Sequence, residues 1–325
     1  MTGPRRTAFS RLDALVVVVG LGLALALAVP FVLRARLHAK REQSADNLKR
    51  LVLAMYDYID NHDGWLPPGC DDKHFSVVAK VLPYLGQQDL HKRIDYSKRI
   101  TDPVNQAARR TRLDVVLSPL DDQPAIGKDP TKTFAPTSYL FNGIAFPFRH
   151  PSRLPSSFEN GTSETVFVVE TLRGDGSARA VDVRRQHIVL SQKDADRYRK
   201  ELRVQIGLAE FDANLNVAAD RCSSWMDGRM LQGTFLPGLR PGERKERVDD
   251  WAWGAARVLN DPRPDVVILT PYSLDGFAAP RSLTSTINVG MGDGTVRHLD
   301  ANRISPGIWY KDLECSAPYV RTHDW

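Results

Sequence analysis

The residues best equipped to hold a cation or move a proton gather in one stretch: His62, Asp63, Asp71, Asp72 and His74. Imidazole and carboxylate groups bind divalent metals, but in sets of defined spacing. The stretch spells neither an EF-hand loop nor a zinc motif and reads as a solvated loop. Asp121-Asp122 and Asp249-Asp250 are adjacent carboxylate pairs. Neighbouring side chains diverge on a helix and alternate across a strand, so adjacency alone does not make an acid–base dyad. Trp65, Trp225, Trp251, Trp253 and Trp309 could offer a sugar-stacking surface, although tryptophans this scattered are more simply core or rim packing. Cys70, Cys222 and Cys315 are too few for a disulfide framework and too far apart for a zinc ribbon. One disulfide with a leftover thiol stays open. The zincin, serine-hydrolase elbow, Cys-x-x-Cys, Ser-x-x-Lys and phosphate-loop patterns are all absent. The sequence therefore nominates no catalytic residue, no metal ligand and no cofactor, and the expectation is a protein that is not an enzyme.

The elements that would position any site are easier to read. Asp293-Gly294 separates two alternating apolar stretches, Thr286 to Met291 and Thr295 to Leu299. An Asp-Gly pair between such stretches predicts a β-hairpin, because glycine adopts positive φ without strain. Asn160-Gly161 predicts a turn before a strand over Thr165 to Glu170. Arg240 to Asp250 reads as a solvated charged loop and Ser191 to Leu202 as a short surface helix. The chain has 325 residues, 42% hydrophobic and 26% charged, which is ordinary globular composition. A net charge of +5, spread along the chain, gives no argument for nucleic acid.

The beginning of the chain departs from that average. Residues 14–33 read ALVVVVGLGLALALAVPFVL, without a charged side chain. At ~1.5 Å per residue such a helix spans the ~30 Å core of a bilayer, and lipid demands that its backbone bond internally. Small-x-small triplets at Ala24 to Ala28 raise the alternative of a cleaved signal. The apolar run continues through Phe31, Val32 and Leu33, beyond the ~7–15 residues of a cleavable segment, and favours an uncleaved anchor. Arg5, Arg6 and Arg11 precede the span and Arg34, Arg36, Lys40 and Arg41 follow it, so flanking charge is nearly balanced and leans slightly toward a cytoplasmic C-terminus. From Arg34 to Asn61 there is neither proline nor glycine. Leu48, Leu51, Val52, Met55 and Ile59 recur at helical spacing, so residues 34–61 predict a continuation of the same helix with one apolar stripe.

Ala8-Phe9-Ser10-Arg11-Leu12-Asp13 resembles the processing pattern of type IV pilins and pseudopilins. Phe9 stands where that pattern has its first mature residue, and Asp13 where it has an acid four residues on. Ala8 occupies the position of the usual glycine, and Pro30 falls where pilin helices carry a bending proline. Further on, the chain resembles the domain of unknown function 1559 family of pilin-like bacterial proteins. The likeness is carried by Asp46-Asn47-Leu48-Lys49-Arg50 leading to Leu66-Pro67-Pro68-Gly69, by Val81 to Gln87, by Asn160 to Thr165 with Glu170, by Trp225-Met226-Asp227-Gly228 and by Ile287 to Arg297. The family's Cys-Pro-Ser-Asp is here Ser118-Pro119-Leu120-Asp121.

What the resemblance implies is an α+β, pilin-like fold, with a long N-terminal helix packed on a mainly antiparallel sheet. The segments would be a cytoplasmic leader over 1–13, a transmembrane helix over 14–33, its amphipathic continuation over 34–61 and an extracytoplasmic domain over 62–325. Ala8 and Phe9 would be the processing site, Asp13 the subunit-assembly residue and Pro30 the helix kink. The partners would be the lipid bilayer through residues 14–33, other pilin-like subunits and a prepilin peptidase, at a bacterial inner membrane. The alternative from another class is an anchored extracytoplasmic binding module or hydrolase.

Overall fold

The computed structural model of the protein describes residues 11–121, 123, 134–158, 160–176, 182, 184–191, 193, 216–236, 260, 265–269 and 275–303. The architecture is α+β. It contains a long helix α1 (Arg11–Asp60), short helices that include α2 (Val77–Val81) and α3 (Gln88–Lys92), and nine strands among the described residues. The chain divides into two units, Met1–Glu42 and Gln43–Trp325.

Over Leu15 to Leu33, in the first unit, α1 carries only apolar side chains. Each large hydrophobic side chain described between Leu15 and Leu33 is exposed, from 44% at Val32 to 74% at Phe31. Such a surface leaves unrealised the roughly 1.5–3 kcal/mol that burying each large apolar side chain yields. Pro30 lies inside the helix, where its missing amide leaves one carbonyl a turn earlier without its intrahelical partner.

In the second unit α1 carries the expected stripe. Leu48, Leu51, Val52 and Met55 are fully buried and Ile59 nearly so, while Lys49, Arg50, Asp57 and Asp60 face outward. The helix stops where the chain turns left-handed: Asp63 and Gly64 have positive φ, and the Gly64 amide donates to the Ile59 carbonyl at 3.1 Å.

The stripe rests on the first of two sheets. Its strand order is β5 (Thr234–Phe235), β1 (Tyr139–Asn142), β2 (Val166–Glu170), β8 (Thr286–Met291) and β9 (Val296–Asp300). All five residues of β2 are buried, as a strand covered on both faces requires. Gly290 on β8 shows how closely the helix sits. A Cβ there would lie 2.7 Å from Val168 Cγ1 and 3.1 Å from Val52 Cγ2 of α1. The second sheet runs β4 (Asn216–Ala218), β3 (His187–Ser191), β6 (Asp265–Leu269) and β7 (Asp275–Phe277).

The sheets are mixed rather than purely antiparallel. Among the described residues β1–β5 and β3–β6 pair parallel, and the other five pairings are antiparallel. Parallel neighbours need a long return connection, and the chain between Ser191 and Asp265 has the length for one. Strand β8 has the expected bounds; β2 and β9 each begin one residue later than the alternation predicts. Thr165 closes a helical turn by donating to the Thr162 carbonyl, and Thr295 is held in the hairpin turn.

Candidate functional site

Two groups of residues have the character of a site: the apolar helix of the first unit, and the polar groups buried beneath α1 in the second. By length and composition α1 is long and apolar enough to cross a membrane. Arg34, Arg36 and Lys40 directly after the span are exposed, as residues at a lipid–water boundary would be. Of the expected processing and assembly residues, Asp13 and Pro30 lie in α1. Ala8, Phe9 and the side chain of Asp13 lie outside what the structure describes.

Beneath α1 the helix contributes two polar side chains, Ser44 and Asn47, to the face that otherwise buries leucine. Ser44 Oγ donates to Glu170 Oε1 at 2.8 Å, and Tyr139 Oη lies 3.0 Å from the same hydroxyl. Asn47 Nδ2 donates to the Leu117 carbonyl at 3.1 Å. Ser118 Oγ also donates to Glu170 Oε1, and the Asn288 amide to Oε2 at 3.3 Å. One carboxylate at the end of β2 thus ties together α1, the Ser118 loop and β8. Burial pushes the Glu170 carboxyl up, and the hydrogen bonds from Ser118, Ser44 and Asn288 offset part of that rise. Three donors, the Ser44 and Ser118 hydroxyls and the Asn288 amide, satisfy this buried acceptor.

The second sheet has its own buried acid. Asp265 at the start of β6 pairs with Arg221 and Arg281, and all three side chains are fully buried. Arg221 Nη2 also donates to Thr171 Oγ1 and the Ala279 carbonyl, and the Ala279 amide donates to Asp265 Oδ1. Burial opposes the charge on Asp265, but Arg281 and Arg221 prevail and hold its carboxyl below the ordinary aspartate range. Asp121 stands in a similar cluster, 3.0 Å from Arg173 Nε and 3.1 Å from Arg185 Nη1.

The acidic stretch after the helix organises a loop. Asp71 Oδ1 accepts from the amides of Lys73 and Phe75, each at 2.9 Å, and Oδ2 pairs with Lys80 at 2.6 Å. Asp72 pairs with Arg149. No group of three His, Cys, Asp or Glu side chains that could hold a metal occurs among the described residues. Trp225 is core, its Nε1 donating to the Thr111 carbonyl at 2.8 Å, whereas Trp65 is exposed beneath the Arg153 guanidinium. Cys70 and Cys222 are free, buried thiols, the second pushed up to about 12 by burial.

Asp293 and Gly294 form the β8–β9 turn. The Gly294 φ is +86°, its amide donates to the Met291 carbonyl, and Asp293 Oδ1 accepts from the Thr295 amide and hydroxyl at 2.9 and 2.7 Å. Asn160-Gly161 likewise turns, with Gly161 at φ +81°. Asp122, Asp249, Asp250, Trp251, Trp253, Trp309 and Cys315 lie outside the described residues, as does all of the Arg240–Asp250 loop and nearly all of the Ser191–Leu202 helix.

The site residues that sequence reasoning passes over are Ser44, Asn47, Ser118, Tyr139 and the arginines around Asp265 and Asp121. Asn47 lies in a segment that carries the family likeness and Ser118 stands where the family has its Cys-Pro-Ser-Asp, and Ser44 and Asn47 are polar where the helical periodicity demands apolar side chains, but none of these signals names their buried partners.

Fold and site together define an α+β protein with one N-terminal helix able to cross a membrane. Residues 34–302 match the family described as Protein of unknown function (DUF1559), and the chain belongs to that family. No curated protein and no solved structure matches it.

Proposed function

We propose that the protein is a pilin-like subunit anchored in the bacterial inner membrane, with residues 34–325 outside the cytoplasm and a structural or assembly role without catalysis. One observation carries this reading. Within the single helix Arg11–Asp60, one part exposes only apolar side chains and another supplies Leu48, Leu51, Val52 and Met55 to a core. A plain tether needs the first property but not the second. Membership of the family and the likeness of Ala8 to Asp13 to a prepilin site add support. In this reading cleavage after Ala8 frees the amine of Phe9. Asp13, costly as an ion at the edge of the bilayer, meets that amine on a neighbouring subunit.

Sequencing the N-terminus of the mature protein from membranes tests the processing step. Methylated Phe9 as first residue supports the proposal, and an intact Met1 or a start near Val29 overturns it. Asp13→Ala tests assembly: membrane insertion should persist while co-purification with other pilin-like subunits is lost. Assembly unaffected by Asp13→Ala would leave the pilin mechanism without support.

A further inference from the structure

A cleft of about 260 Å³ lies where α1 ends, walled by residues from four separate segments. Tyr58 and His62 come from the end of the helix, with rings stacked at 3.7 Å and 4° apart in plane. Tyr84 meets Tyr58 edge-on, centroids 6.2 Å apart, with Pro83 beside it. His91 of α3, Tyr96 and Lys80 of α2 close the other side.

The polar atoms of this cleft have a definite donor and acceptor pattern. His62 Nδ1 lies 2.7 Å from the Tyr58 carbonyl, which can only accept, so Nδ1 carries a hydrogen and Nε2 is the ring atom left to accept. Tyr96 Oη donates to the Ala79 carbonyl at 2.6 Å and so accepts from His91 Nδ1 at 2.9 Å, which leaves His91 Nε2 an acceptor as well. Burial and the nearby Lys80 hold the His91 imidazole below its ordinary range and so neutral. The hydroxyls of Tyr58 and Tyr84 make no hydrogen bond among the described residues. Lys80 is paired with Asp71 at 2.6 Å and lies over the rings of Phe75 and Tyr96, so its charge is compensated.

From this juxtaposition we propose that the cleft binds a neutral pyranose sugar. The Tyr84 ring, with the side of Tyr58 turned away from His62, matches the apolar C–H face of such a ring, and the sugar hydroxyls both donate to the two imidazole nitrogens and accept from the Tyr58 and Tyr84 phenols. Competing chemistries fit less well. A quaternary ammonium group and an all-proline strand can fill an aromatic cleft, but neither has an N–H or O–H hydrogen to give the imidazole acceptors. An anion would find no unpaired cation. The volume is below the ~300–1,000 Å³ typical of pockets for drug-sized ligands, which suits one sugar ring at a time. The site is independent of whether the chain assembles.

The test uses the full chain in a sugar-free detergent, with saturation-transfer NMR and titration against cellotriose, maltotriose, mannotriose and chitotriose. At least one trimer should bind. Tyr84→Ala should weaken that binding about tenfold or more, and Tyr84→Phe, which keeps the ring and loses the hydroxyl, about threefold. Trp65→Ala, exposed and outside the cleft, should leave it unchanged. Tighter binding of a trimer than of its monomer would assign the site to a polysaccharide, equal binding to a free sugar, and either supports it. The proposal is overturned if none of the four binds, or if binding survives both Tyr84→Phe and His91→Ala undiminished. Tyr84-dependent binding of decaproline or phosphocholine, with no sugar bound, overturns it too. Circular dichroism melting of each variant separates lost binding from lost fold.

Discussion

Among the described residues, the two sheets each bury one carboxylate beside the core, and they do it in opposite ways. Glu170 of the first sheet is surrounded by hydroxyl and amide donors from Ser44, Ser118 and Asn288. Asp265 of the second is clamped between the guanidinium groups of Arg221 and Arg281. Burial is nearly equal, 5% exposed against 0%. The carboxyl of Glu170 is nonetheless raised and that of Asp265 lowered. Burial sets the penalty for charge, and the neighbours decide whether charge survives it. Neutral donors soften the penalty; two buried cations reverse it.

The largest effect should come from removing the acid between the arginines. Asp265→Ala removes the acid that Arg221 and Arg281 share and should destabilise the protein by about 3–5 kcal/mol, read by urea unfolding through tryptophan fluorescence. A loss below about 1 kcal/mol would mean that the arginines find other partners and the clamp is not a unit. Glu170→Ala should cost less, about 1–3 kcal/mol, because the donors it abandons are neutral. A penalty equal to that of Asp265→Ala would abolish the distinction between the two sheets.

The pH dependence sharpens the contrast. Glu170 titrates higher folded than unfolded, so its stabilisation is present at low pH and fades as pH rises from the ordinary glutamate range through the raised folded value. Asp265 titrates lower folded than unfolded. Its stabilisation is present above the ordinary aspartate range and is lost as pH falls through the depressed value. The cost of Glu170→Ala should therefore shrink as pH rises from the ordinary glutamate range through the raised folded value, while that of Asp265→Ala should grow as pH rises from the depressed value to the ordinary aspartate range and stay level above it, by about 1.4 kcal/mol for every tenfold difference in proton affinity between the folded and unfolded chains. Unfolding series in which both costs move the same way would refute the assignment. The smallest effect calibrates the others. Asp293 is an exposed carboxylate accepting two hydrogen bonds in the hairpin of the first sheet, and Asp293→Ala should cost about 0.5–1 kcal/mol.

What the sequence reveals follows from how local each signal is. The stripe from Leu48 to Ile59 and the hairpin around Asp293-Gly294 are legible because periodicity and turn chemistry act within a few residues. The second sheet is not. His187–Ser191 and Asp265–Leu269 are short runs without clean alternation, and their parallel pairing joins segments far apart in the chain. The buried ion clusters are hidden for the same reason, since Arg221 meets an acid 44 positions away and Arg173 one 52 positions away. Glu170 is visible as part of a motif, but nothing local says that it will face Ser44 at a separation of 126. The sugar cleft gathers Tyr58, Tyr84, His91 and Tyr96 from a helix end, a 3-10 helical turn over Leu82–Leu85, a short helix and a loop, and no spacing rule connects them.

The seat of α1 over Gly290 also has a mechanical meaning. A load drawn along the helix reaches the sheet through a long buried contact, with Val52 over the bare backbone of β8 and the Ser44–Glu170 hydrogen bond further along. Contacts loaded together in shear give way together, whereas contacts peeled singly give way at low force. Pulling single molecules by α1 should therefore show one abrupt rupture for the helix leaving its seat, and Gly290→Val, which wedges the seat open, should lower that force. A staircase of small, equal steps would show that the helix is peeled rather than sheared.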